Sequence, residues 1–153
     1  AVGTAEVYDT GTGRWRAGPA LELPREHLAV ATRGERVYAI AGRAAGRGNF
    51  TAVESFAPGQ DQRWRTEPDL EESRGGIAAA TVDGRLCVAG GEEAEGTIAS
   101  VECLDGDDWA RAARLEKPRH GLAVMALDGR LHVVAGGEQP GLFVSGVHEA
   151  LEV

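Results

Sequence analysis

Three arginines are the residues best placed to do chemistry. Arg25, Arg74 and Arg119 stand 49 and 45 residues apart, each closing a Pro-Arg or Ser-Arg pair. Guanidinium groups gathered by a repeating fold would grip carboxylate or phosphate with two-pronged geometry. The alternative is structural: each arginine bonds carbonyl groups of the next repeat and fastens the two together. Beside the arginines the repeat breaks. Glu26 and His27 follow Arg25, and His120 follows Arg119, whereas the middle unit has Gly75-Gly76. Polar residues that differ between otherwise matching positions suit a specific ligand site; the plainer reading makes them solvated loop side chains.

Other chemistry finds less support. No His-x3-His or Cys-x2-Cys spacing occurs, so no metal site and no cofactor is expected. His132 and His148 fall within strand patterns and read as structural. Two cysteines are too few for a disulfide scaffold. Cys87 and Cys103 fall on strands expected to be antiparallel neighbours. They are expected as free, partly buried thiols, with a cross-strand disulfide as the alternative should they face each other. Asn49-Phe50-Thr51 matches a glycosylation sequon, a weak signal by itself. The glycine-rich stretch 42–48 lacks phosphate-loop or dinucleotide spacing.

What must position these groups is an internal repeat. Trp15, Trp64 and Trp109 share the 49 and 45 spacing of the arginines. Gly34, Gly84 and Gly129 are 50 and 45 apart; Gly42, Gly90 and Gly136 are 48 and 46 apart; Glu6, Glu54 and Glu102 are each 48 apart. Each unit reads as four short strands. An apolar run such as 121–127 meets a turn at Asp128-Gly129, and a return strand 130–135 ends at Gly136-Gly137. The matching turns are expected at Asp83-Gly84 and Arg33-Gly34, and Arg43 stands in the place of a second glycine in the first unit. The first runs are Ala-rich, as strands crowded around an axis require, and the three tryptophans fall where the units diverge. The polar loops after the glycines vary most. Arg43 and Arg47 make the first basic, Glu92, Glu93 and Glu95 make the second acidic, and Glu138 opens the third. Variable loops on a rigid scaffold are where specificity resides.

Length and charge bound the answer. The chain has 153 residues, a prior of about one domain. Gly 22 is about 14%, roughly twice the ordinary share, which favours tight turns over helices. The formal net charge of −8 argues against nucleic acid and anionic membrane surfaces as partners. No apolar run approaches the roughly 20 residues of a membrane-spanning helix.

With Val-Glu, Trp, Pro-Arg-His-Gly, Asp-Gly-Arg-Leu and Gly-Gly in this order, most fully over 101–137, the chain resembles the kelch repeat family. The resemblance covers the whole length. It extends to bacterial kelch proteins, whose six-bladed rings have a final blade similar to 137–153, and to the kelch domains of animal BTB–kelch adaptors. It implies an all-β propeller of four-stranded antiparallel blades, with units at about 1–23 (partial), 24–70, 71–116 and 117–153. Counted as strands, these units hold two, four, four and three, about half of a six-bladed ring. Either the chain is the C-terminal half of a longer polypeptide, or two copies close one ring. The resemblance implies a non-catalytic module whose loops at the channel mouth, with Arg25, Glu26, His27, Arg74, Arg119 and His120, meet a protein or a small anionic ligand. The alternative is a propeller enzyme acting on carbohydrate. A galactose-oxidase-like site would need Tyr, His and Cys around copper, but Tyr8 and Tyr38 sit at apolar strand positions. A sialic-acid-epimerase-like site would need a carboxylate and an arginine, for which Glu26 and Arg119 could serve.

Overall fold

The computed structural model describes residues 1–153, all strand, turn and loop with no helix. It opens with a hairpin of β1 (Glu6–Asp9) and β2 (Arg14–Ala17). A first complete blade follows, in the order β3 (Ala29–Arg33), β4 (Arg36–Ile40), β7 (Val53–Phe56), β8 (Arg65–Glu67). The second blade runs β9 (Ala78–Val82), β10 (Arg85–Ala89), β13 (Ser100–Asp105), β14 (Asp108–Arg114). The third has three strands, β15 (Ala123–Leu127), β16 (Arg130–Val134) and β17 (His148–Leu151). All neighbouring strands pair antiparallel. Two of the three variable loops are themselves small ribbons, β5 (Arg43–Ala44) with β6 (Gly48–Asn49) and β11 (Glu92–Glu93) with β12 (Gly96–Thr97).

Strand alternation builds the core. Successive side chains point to opposite faces of a sheet. In β10, Leu86 and Val88 face the first blade, joining Ala29, Tyr38, Ile40 and Val53. Cys87 and Ala89 face the third blade, joining Leu122, Leu131 and Val133. A smaller cluster of Ala39, Phe56 and Trp64 meets Ala5 and Leu21 of the opening segment. The Ala-rich first strands β3, β9 and β15 lie side by side, because only small residues let three backbones crowd together there.

The backbone also resolves the uneven spacings. In the first blade Arg33 pairs with Arg36, so the turn is Gly34-Glu35 and not Arg33-Gly34. Only Gly34 has positive φ there, at 58°, the pattern of a type II′ turn; Asp83-Gly84 and Asp128-Gly129 are positive at both residues, as type I′ demands. After the second strand the left-handed pairs are Ala41-Gly42, Gly90-Gly91 and Ala135-Gly136. Gly91, not Gly90, is therefore the partner of Gly42 and Gly136. Arg43 shares its position with Glu92 and Gly137 instead of replacing a glycine. With those shifts the turn and glycine marks fall on the 49 and 45 spacing of the tryptophans and arginines, while Glu6, Glu54 and Glu102 keep their spacing of 48. The glycine is required: a Cβ on Gly42 would stand 2.6 Å from the carbonyl oxygen of Glu26. The amide of Gly42 donates to the Arg74 carbonyl at 2.9 Å, and that of Gly91 to the Arg119 carbonyl at 2.8 Å, so this turn is also the seam between blades.

The cysteines depart from expectation. Cys87 and Cys103 are joined in a disulfide and no free thiol remains. The register places them directly opposite on β10 and β13, with both side chains on the face toward the third blade. Facing residues of an antiparallel pair hold their side chains close enough to link. The bond ties residues 16 apart in sequence. Reducing it, or replacing both by alanine (Cys87→Ala, Cys103→Ala), is expected to lower stability by about 3 kcal/mol, seen as an earlier midpoint in urea. An unchanged midpoint under reductant would mean that the two thiols are not linked.

Candidate functional site

The three arginines do not gather at an opening. The side chains of Arg25, Arg74 and Arg119 are each 0% exposed. Each turns into its own blade and meets a glutamate on the third strand: Arg25 with Glu54, Arg74 with Glu102, Arg119 with Glu149. Most of the remaining donors reach carbonyls of the same blade; Arg74 also donates to the Ser100 hydroxyl and the Glu72 carboxylate, and the buried Nε of Arg25 has no partner. Arg25 bonds Leu23 and Ala39, Arg74 bonds Gly90 and Ser100, and Arg119 bonds Lys117, Val133 and Ala135. Each glutamate also accepts backbone amides from the segment entering the blade, at 2.8 Å from Glu22, Glu71 and Glu116 respectively. The set is thus a clamp that holds the incoming chain to the centre of its sheet. It corrects both sequence readings: the guanidiniums face no ligand, and their side chains fasten within a blade, not between blades. Burial pulls the Arg74 guanidinium below its usual value, opposed by the charges of Glu102 and Glu72. Glu149 went unnoticed in the sequence because the tail around it lacks the tryptophan that follows Glu54 and Glu102.

The non-repeating residues do come together. Short bridges pair Glu26 with Arg43, Gly75 with Glu92 and His120 with Gly137, one per blade on one face. Glu92 is the hub of that face. Its Oε1 accepts from Arg43 of the first blade at 2.9 Å. Its Oε2 lies 3.4 Å from Nδ1 of His120 and accepts the Gly141 amide at 3.3 Å, both of the third blade. Its carbonyl accepts from the Asn49 side chain at 2.6 Å, which engages the sequon asparagine between blades. Arg43 Nε also stands 3.9 Å from Glu26, itself 3.7 Å from His27. Glu26, Arg43 and Glu92 therefore alternate in sign from the first blade to the second, and opposite signs at such distances in a half-buried setting attract by about a few kcal/mol at most.

Between the two ribbons and the third loop lies an open cleft of about 460 Å³, lined by Arg43, Asn49, Glu92, Glu93, Pro140 and Gly141 among others. Glu93 accepts the Ser73 hydroxyl, and Thr97 donates to the Glu138 carbonyl at 3.1 Å. Arg47 lies off the cleft chemistry, its guanidinium 5.2 Å from the centre of the Phe50 ring. Glu26, His27, Glu95 and Glu138 are exposed around this face. Arg43 already serves two carboxylates, so the free charge of the cleft is acidic. Thr97 and Gly141 carry no sequence signal as site residues, and Asn49 only that of the sequon, since their roles here depend on which loops meet. The pairs required by the enzyme readings are not assembled. Arg119 is sealed in the third blade away from Glu26, Tyr38 is buried in the first blade, Tyr8 stacks on Trp15, and both cysteines are spent in the disulfide.

Known proteins bear on this architecture. No family model matches the chain. Kelch-like protein terF of Aspergillus terreus is 32% identical over 87 residues, 56% of this chain and 19% of that protein. Mouse Kelch-like protein 9 is 27% identical over 101 residues, 63% of this chain and 16% of that protein. The solved structure of YjhT superposes with a TM-score of 0.83 at 15% identity, covering 98% of this chain and 49% of that one. The chain is similar to kelch-like proteins in sequence and shares the fold of YjhT. It spans about half the length of YjhT and matches less than a fifth of the two kelch-like proteins. Each blade here owes its shape to the arginine–glutamate clamp, and the face between the blades owes its shape to Glu92.

Two outcomes follow for the clamps. Glu102→Ala strands the buried Arg74 charge and is expected to cost about 3–5 kcal/mol, measured by urea unfolding; a loss below about 1 kcal/mol would place Arg74 in water. Glu149 gives a pH signature. Burial pushes its carboxyl up, but the Arg119 hydrogen bond, the Glu116 and Lys117 amides and the Arg119 charge together hold it below the ordinary 4.5. A native carboxyl with a lowered pKa contributes stability that is whole above the unfolded value and is lost as pH falls through the native one. Acid unfolding followed downward from pH 4.5 is therefore expected to be shallower in Glu149→Gln than in the natural chain.

Proposed function

We propose that this chain is a non-catalytic kelch binding module that takes a basic, extended segment of a partner protein on its loop face. One observation supports this above the others. Glu92 is locked by Arg43, His120 and the Gly141 amide, while Glu93, Glu95, Glu26 and Glu138 surround the cleft with little cation to balance them. Rigid framing with unbalanced carboxylates suits lysine or arginine side chains, and it disfavours the small anionic ligand that exposed arginines would have served. The kelch-like relatives agree with a protein partner in name alone. Two copies closing one six-bladed ring would match the size of YjhT, of which the chain covers about half. They would bring thirteen blade strands each, one more than half of six four-stranded blades, so β1–β2 and β17 would compete for one slot.

A fluorescein-labelled oligolysine peptide is the simplest probe. Glu93→Gln with Glu95→Gln is expected to weaken its binding about three- to tenfold, from two exposed charge contacts. The same charge change on the outer turn of the second blade, Asp105→Asn with Asp107→Asn, is expected to leave it unchanged. Equal losses from both pairs, or preferred binding of oligoglutamate, would overturn the assignment.

A further inference from the structure

The third variable loop presents an apolar tip. Leu142, Phe143 and Val144 follow one another in sequence; Leu142 is fully exposed, Val144 is 91% exposed and Phe143 about half. The other two loops of this face carry nothing like it. Ala45 and Gly46 stand at the tip of the first, Ala94 and Glu95 at the tip of the second. A single surface leucine is ordinary, but a run of large apolar side chains left in water marks a surface that meets something.

The tip is held firmly. Pro140 followed by a left-handed Gly141, φ 95°, is the pattern of a type II turn. The Gly141 amide donates to Glu92 Oε2 at 3.3 Å, and the Thr97 hydroxyl donates to the Glu138 carbonyl at 3.1 Å, both across to the second blade. Nε2 of His120 meets the Gln139 carbonyl at 3.0 Å. The Phe143 carbonyl fills the space that a Cβ on Gly137 would need. A backbone pinned in these ways has little freedom to turn its side chains back onto the blade. Behind the tip lies an open hollow of about 470 Å³, lined by His120, Ala135, Leu142, Phe143 and Val144 among others. Gly141 lines both this hollow and the acidic cleft, so the two spaces adjoin.

We propose that the tip and its hollow form a second subsite of the loop face, which takes a large apolar side chain of the same partner segment whose basic side chains enter the cleft. This rests on the basic-segment reading above and specifies it. The partner segment carries lysine or arginine together with an aromatic or long aliphatic residue. Adjoining spaces of this size set the two kinds of side chain about two or three residues apart in an extended chain, at roughly 3.3 Å per residue. Charge chooses between occupants. Glu26, Glu95 and Glu138, exposed around the face, repel an anionic lipid surface and draw a cationic segment. The apolar contact then supplies affinity, while the carboxylates supply encounter and register.

Two fluorescein-labelled peptides of equal length and charge test this. One contains only lysine and serine; the other has one serine, two residues from a lysine, replaced by phenylalanine. The phenylalanine peptide is expected to bind the natural chain about tenfold more tightly, as partial burial of one aromatic side chain allows. Leu142→Ser with Val144→Ser alters side chains that stand in water and so folds as the natural chain does. In that variant the ratio between the two peptides is expected to fall to about one. In Glu93→Gln with Glu95→Gln both peptides are expected to weaken about three- to tenfold with their ratio kept. Equal binding of the two peptides by the natural chain, or a ratio that survives in Leu142→Ser with Val144→Ser, overturns the apolar subsite and leaves the basic-segment reading standing. Binding of both peptides that ignores Glu93→Gln with Glu95→Gln overturns the basic-segment reading, and the two-part ligand with it. Self-association of the natural chain, or its binding to neutral lipid vesicles, that disappears in Leu142→Ser with Val144→Ser overturns the proposal in favour of a second copy or a membrane.

Discussion

Everything in this chain hangs from a buried arginine and the glutamate it grips, repeated three times. A guanidinium taken out of water is costly unless it is answered, and each of these has a carboxylate plus two or more carbonyls around it, with the Arg25 Nε alone left without a partner. The glutamate is answered in turn by amides of the entering segment. Two distant stretches, the approach to the first strand and the middle of the third, are thereby fixed to one point. Once that point is set, the strands between have little freedom in register, and the apolar faces fall into place against the neighbouring blade.

The seam between blades is made by backbone. A left-handed glycine sends its amide to the carbonyl of the next blade's arginine residue, so the clamp residue belongs to two structures at once: side chain inward, main chain sideways. Apolar packing on both faces of the second blade completes the join. This explains why one period governs tryptophan, arginine and glycine alike. All three are measured from the same anchor.

Much of this was legible in the sequence, and the failures are instructive. The four-stranded units, the hairpin turns of the second and third blades and the small first strands all follow from local rules of turn and packing. The place of Gly91 does not, because Gly90-Gly91 offers two glycines and only the backbone angles, matched against Ala41 and Ala135, reveal which one is essential. The arginines were found as a set, but their direction depends on a carboxylate some thirty residues away, and the third of these, Glu149, has no local signature. The disulfide turned on whether two cysteines share a face and a register, a matter of single residues. The loop face was read as three separate loops of contrasting charge, and its organisation by Glu92 emerges only when three blades are set side by side.

The positions of Arg43, Glu92 and Gly137 are the same position in three blades, and they hold a cation, an anion and nothing. A blade copied whole would put three arginines or three glutamates in a row, each repelling the next. The interlocking face therefore depends on the three blades differing at this one position, each residue constrained by the neighbour on either side. Substituting one blade for another would keep the fold and erase the face.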